Sequence, residues 1–163
     1  MDVIPTAPRE RVKQPNSRTC FVCGVDNEQG LGLSFYETGS ATVEATVVLP
    51  EHLQGYPGVA HGGIVTALLD EITLRAAVIG QPEHLMVTGK IEVRFRLNVP
   101  IGVPLRVVGT LLERKRRAVR TRGEVFLPDG TIGAVAESIL MDHPQSGMSP
   151  EALAALGWRV IPD

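Results

Sequence analysis

The sequence predicts an α+β domain in which one long helix is wrapped by an antiparallel sheet of five to six strands. Three observations predict it. Residues 64–80, IVTALLDEITLRAAVIG, run without proline and are apolar on nearly every side, the pattern of a buried helix. Several stretches before and after it alternate apolar and polar residues with the period of a strand. The order is strand, strand, helix and then four strands, with no internal repeat, and one helix set against a run of strands is an α+β arrangement.

Each element follows in chain order. Residues 1–19 hold three prolines and many polar groups without a period, and are read as a loose arm. The domain proper is expected over 20–143. It opens on the turn region CFVCGVDNEQG, residues 20–30. Residues 31–37 place Leu31, Leu33 and Phe35 at alternate positions, as a strand does, and residues 41–49 repeat the signal with Val43, Ala45, Val47 and Leu49. A Gly- and Pro-rich loop, PEHLQGYPGVAHGG, leads into the helix, and Gly80 suits its C-terminal stop. Residues 88–98 put Ile91, Val93, Phe95 and Leu97 on one face, against Lys90, Glu92, Arg94 and Arg96. Strands 104–113 and 118–127 are joined by a basic turn, and Pro128-Asp129-Gly130 turns into a last strand, 131–142. The tail, 144–163, carries a short helix starting at Ser149-Pro150.

Bulk composition narrows the function. Of 163 residues, 44% are hydrophobic and 21% charged, so a cored globule is expected rather than a disordered chain. A net charge of -2 gives no reason to expect nucleic acid. No apolar run approaches the roughly 20 residues that span a bilayer, and the first residues do not read as a secretory signal. Two cysteines three residues apart do not make a disulfide framework, so a reducing, cytoplasmic setting is expected.

The most informative residue is Asp70, which sits between Leu69 and Ile72 in the middle of the helix. Burying an ionised carboxylate without partners costs several kcal/mol or shifts its pKa strongly, so a helix built for packing alone would not carry it there. The structural alternative is a carboxylate bound by a nearby hydroxyl, Thr66 or Thr73. Glu71 has a simpler explanation: Arg75 lies four residues on, the spacing of a helix surface pair. Successive helix residues point about 100° apart, so the two acids do not share a face. At the helix start stands His61-Gly62-Gly63. Glycines let a ligand approach the backbone, and the first helical turn offers unpaired N–H groups at the positive end of the dipole, which suits a carbonyl oxygen gaining charge. A tight loop-to-helix turn would need the same glycines. His61 and Asp70, nine residues apart, lie about 180° apart around the axis and about 13 Å along it. They cannot form a hydrogen-bonded dyad in one chain, so a reaction that uses both needs two chains.

The stretch GVAHGGIVTALLDE, followed by the strand VTGKIEVRFRLNVPIG, resembles the signature of the PaaI-like and THEM-like hotdog-fold acyl-CoA thioesterases. The resemblance covers about residues 20–142. It implies a hotdog fold, and hydrolysis of an acyl-CoA to free acid and CoA by a homodimer or a dimer of dimers with sites shared between chains. Carried over by position, it implies that Asp70 activates water or attacks the thioester. Gly62, with Gly63 beside it, offers the backbone amide that polarises the carbonyl. His61 matches the motif histidine, whose role varies. Thr88 matches a Ser/Thr that positions water in some members. Gln54 lies near the family's Asn or Gln, in a loop one residue longer than in some relatives. By parity with Lys90 and Glu92, Thr88 points away from the helix and faces the seam between subunits, unless a bulge intervenes.

Arg114-Lys115-Arg116-Arg117 forms the basic turn. Arg114, Arg116 and Arg117 are candidates for the phosphates of CoA, against a solvated hairpin that discourages edge pairing. Cys20 and Cys23 are half a zinc site, which His52 or His61 would have to complete, or a redox pair, or plain structural thiols; no metal and no cofactor beyond the substrate's CoA is expected. Two other readings stand beside hydrolysis. A hydratase would carry Asp and His close together in a motif that the sequence lacks. A non-catalytic acyl-CoA binding or sensor protein would keep the fold but have little use for Asp70.

Overall fold

A computed structural model describes residues 11–143 and 149–163. Its elements are β1 (Val12–Lys13), β2 (Tyr36–Glu37), β3 (Thr42–Val48), α1 (Gly62–Ala77), β4 (Met86–Phe95), β5 (Pro104–Arg114), β6 (Ala118–Phe126), β7 (Ile132–Asp142) and α2 (Pro150–Leu156). The strands form a single antiparallel sheet in the order β1-β2-β3-β5-β6-β7-β4. The fold is α+β with α1 laid across the sheet, as expected. Among the described residues seven strands replace the predicted five to six, because β1 adds a two-residue strand at one edge, beside β2.

Two expectations need correction. The strand read over 31–37 survives only as β2. Leu33 and Phe35 are buried as the alternation requires, but Gly32 takes φ 59° and breaks the extension. The backbone here bonds to the turn region instead: Leu31 N–H donates to Phe21 O and Leu33 N–H to Val22 O. The stretch 11–19, read as part of a loose arm, carries β1 and buries Gln14, Asn16 and Ser17. These polar residues are held by specific bonds, with Asn16 Nδ2 donating to the carbonyls of Cys23 and Leu33 and the Asn16 backbone bridging Arg159. Residues 1–10 and 144–148 lie outside the described residues. The short tail helix is present as α2, with Ser149 Oγ accepting from Ala152 N.

Helix α1 stops at Ala77, three residues before Gly80, which takes φ 71° in the following turn. Val65, Leu68, Leu69, Ile72 and Ala76 of α1 sink into the main core with Val43, Val107, Val125 and Ala136 of the sheet. Two glycines set how closely it sits. Gly109 of β5 and Gly123 of β6 are direct cross-strand partners. A Cβ on Gly109 would run into the backbone carbonyl of Ile72, and one on Gly123 would press on Ile72, Thr73 and Leu69 at 3.0–3.2 Å. The helical turn that carries Asp70 therefore rests on bare backbone.

Strand β4 lies at the other edge of the sheet and, among the described residues, pairs with β7 alone. Its pairing shifts between Thr88 and Lys90, so Gly89 is the extra residue of a bulge. Below the bulge Ile91 and Val93 pack toward the core. Phe95 and Leu97, predicted to share that face, are 56% and 51% exposed, because they lie at and beyond the end of a strand with one free edge.

Candidate active site

Asp70 faces β4. The Thr88 hydroxyl donates to Asp70 Oδ1 at 2.7 Å, and the bulge at Gly89 makes this contact. In an unbroken strand Thr88 would share the outward face of Lys90; the inserted residue turns it inward to α1. The alternation points Thr88 to the subunit seam unless a bulge intervenes, and the bulge at Gly89 is that exception. Neither helical hydroxyl proposed as the structural partner holds the carboxylate. Thr66 Oγ1 donates to Gly62 O, and Thr73 Oγ1 to the backbone carbonyl of Asp70.

His61 is the N-cap of α1. Its Nδ1 accepts from Gly63 N at 2.9 Å, so the ring satisfies one orphan amide of the first turn. A Cβ on Gly63 would stand 3.0 Å from that Nδ1, so the glycine makes room for the ring. His61 O accepts from Ile64 and Val65. Gly62, at the first helical position and exposed, keeps its N–H outside these bonds, with the ring of Phe95 near its Cα. The Gly62 N–H, which has no hydrogen-bond partner among the described residues, and the Asp70 carboxylate are eight residues apart on one helix, about 12 Å along the axis.

Gln54 is turned into its own loop. Its Oε1 accepts from Gly58 N at 3.0 Å while its backbone bridges Ala60, so it braces the approach to His61. Arg114 donates Nη2 to Ala77 O at 2.8 Å, satisfying a carbonyl at the end of α1. That bond gives Arg114 a helix-closing role while the residue itself stays exposed beside the hairpin tip. Arg116 and Arg117 are exposed at the tip of the β5–β6 hairpin.

One cluster was missed by sequence reasoning. The Glu71–Arg75 pair forms at 2.8 Å, but Arg75 has no exposed surface and Glu71 is mostly covered, so the surface pair predicted from the spacing is a buried one. Arg75 also donates Nη1 to Pro15 O at 2.6 Å and lies over the rings of Phe35 and Trp158. Burial raises the Glu71 carboxyl above its ordinary range, against the pull of Arg75. Cys20 and Cys23 lie beside Glu71, whereas His52 and His61 have no part in that group. The dipeptide of acids gave no signal of this, since a four-residue spacing looks alike on a surface and in a core.

Comparison with known proteins agrees with this architecture. The family model of the thioesterase superfamily matches residues 57–134, from the loop before α1 into β7. A crystal structure of a thioesterase superfamily protein is 27% identical with a TM-score of 0.69, covering 77% of this chain and 61% of that one; the chain thus spans under two thirds of that relative. A Streptococcus mutans UA159 protein bound to acetyl CoA is 18% identical (TM-score 0.62, covering 68% of this chain and 88% of that one). A hypothetical thioesterase protein with coenzyme A from Streptococcus pneumoniae TIGR4 is 16% identical (TM-score 0.62, covering 68% and 85%). At such identities the likeness is one of fold, the hotdog fold. A search of curated proteins finds no match. Among the described residues no helix is long and apolar enough to cross a membrane.

Proposed function

We propose, on the premise that residues 57–134 carry a thioesterase superfamily domain, that the protein hydrolyses an acyl-CoA thioester to the free acid and CoA. The observation that carries the proposal is the 2.7 Å bond from Thr88 to Asp70 Oδ1 in the middle of an apolar helix. It fixes one carboxylate oxygen and leaves the other for chemistry. In the water route, Asp70 takes a proton from water as the water oxygen bonds to the thioester carbon. The carbonyl electron pair moves onto oxygen, stabilised by the N–H of Gly62 of the partner subunit. When that pair returns, the C–S bond breaks, and the CoA thiolate leaves and recovers the proton. Attack by the carboxylate itself gives an acyl anhydride that water then cleaves to the same products.

The two-chain site rests on the separation of Gly62 and Asp70 along one helix and on the free edge of β4, where Val87, Phe95 and the neighbouring Ile139 and Met141 of β7 are exposed. A second copy seated there would cover a strand edge that proteins rarely leave bare. Recognition of CoA is supported by two fold relatives that hold CoA compounds and by Arg116 and Arg117, whose forks suit phosphate. The test is thiol release from short, long and aryl acyl-CoAs. Wild type is expected to release thiol, and Asp70→Asn to be slower by about 10²- to 10⁴-fold. Equal rates would remove Asp70 from the mechanism, and no release by either would favour a binding protein of the same fold.

A further inference from the structure

The Cys20-x-x-Cys23 turn faces α1 on the side of Glu71, and its sulfurs lie within 4.8 Å of each other and of a Glu71 carboxylate oxygen. From this convergence we infer that Cys20, Cys23 and Glu71 bind one thiophilic divalent cation of the zinc type, with the fourth position open to water. The inference does not depend on the hydrolase reading.

Three features favour it. The first is distance. Tetrahedral zinc holds thiolate at about 2.3 Å and carboxylate at about 2.0–2.2 Å, which sets its ligands roughly 3.5–3.8 Å apart. Atoms already within 4.8 Å reach that spacing by small side-chain movements. The second is the surroundings of the sulfurs. The Cys20 sulfur receives the backbone N–H groups of Val22 and Cys23 at 3.3 and 3.5 Å, and the Cys23 sulfur stands 3.4 Å from the Ser17 hydroxyl. Gly24 N–H closes the turn on Cys20 O, and a Cβ at Gly24 would overlap that same carbonyl, so the turn is built for glycine. The backbone donors at Cys20 suit an anionic ligand, and the Ser17 hydroxyl can donate to the Cys23 sulfur. The third is charge and outer support. Arg75 Nε fixes Glu71 Oε1 at 2.8 Å, which orients the carboxylate as outer partners orient metal ligands. Two thiolates and a carboxylate, set against the Arg75 guanidinium and a divalent cation, sum to zero. The buried Arg75 Nη2 has no hydrogen-bond partner among the described residues.

The rival is a disulfide between the same cysteines. It would use neither Glu71 nor the donors, and Cys23 is only 2% exposed, so an attacking disulfide would have to enter at Cys20. The experiment reconstitutes the reduced full chain with zinc, removes loose metal by gel filtration and measures metal and free thiol per chain. One tightly held zinc per chain is expected, lost in Cys20→Ser, with affinity at least about tenfold weaker in Glu71→Gln. Cobalt in place of zinc should give thiolate-to-cobalt charge-transfer absorption and the intense visible bands of a tetrahedral site, both absent in Cys20→Ser. Wild type that holds no metal with two free thiols would overturn the inference. So would zinc retained equally by Cys20→Ser, an adventitious ion only. A chain that re-forms a Cys20–Cys23 disulfide in air even with zinc present would replace it with the redox reading. The wild-type measurements stand on their own if a variant fails to fold.

Discussion

At Asp70 the question is which groups set the carboxylate and which set the carbonyl it acts on. The first has an isolating test. Thr88→Val keeps the shape of the side chain and removes the hydroxyl that bonds Oδ1. A hydrogen bond to a charged group is worth about 1.5–3 kcal/mol, so kcat should fall by about 10- to 100-fold while Thr88→Ser keeps most of it; steady-state kinetics of the three proteins decide. The second test uses backbone geometry. Gly62 is the first residue of α1, its φ is not positive, and His61 before it has φ -60° and ψ 135°. Proline is favoured at that helical position and its predecessor is already in the conformation that proline demands. Gly62→Pro should therefore leave the melting temperature unchanged while deleting the one N–H in question, and turnover should drop by about 10²- to 10³-fold. Asp70 was legible in the sequence, because a lone acid in an apolar helix contradicts packing. Its partner Thr88 was legible only through the family resemblance, and its direction only on the condition of a bulge. Thr88 faces α1 only because Gly89 is a bulge, and a glycine in a strand reads equally as weakness or as a bulge.

Among the elements, the placement of α1 depends on what the sheet lacks. The Gly109–Gly123 pair leaves the helix floor without side chains below Leu69, Ile72 and Thr73. Gly109→Ala would force the Ile72 carbonyl to move, and overpacking of this kind costs about 1–3 kcal/mol. The melting temperature should fall, and turnover should fall with it because the displaced turn carries Asp70; calorimetry and kinetics on one preparation read both. The strands and the helix were legible because their periods of two and 3.6 are written in apolar residues. The edges were less so. Gln14 and Asn16 are buried by hydrogen bonds rather than by apolar surface, so a stretch of prolines and polar groups looked like a free arm. The strand expected around Phe35 kept its burial and lost its ladder to Gly32.

For the molecule as a whole, the arrangement along α1 makes a statement about stoichiometry. If each site takes Asp70 from one chain and Gly62 from the other, Asp70→Asn and Gly62→Pro chains are each inactive alone. In a pair of one each, one site holds both lesions and the other holds none. Random reassortment of equal amounts makes half of the pairs mixed, so the mixture should recover about a quarter of wild-type activity. A mixture as inactive as its components would mean that one chain completes its own site. The family-level fold was legible from GVAHGGIVTALLDE and the strand after it, but pairing of chains depends on surfaces that alternation does not describe. The bare edge of β4 has one more consequence, in the kinetics of dilution. Where catalysis needs two chains, the measured rate stays proportional to protein concentration only while the pairs hold together. Below their dissociation constant it should turn toward the square of the concentration, and excess Asp70→Asn chain added to a dilute wild-type assay should raise the rate, since an inert chain still brings an intact Gly62.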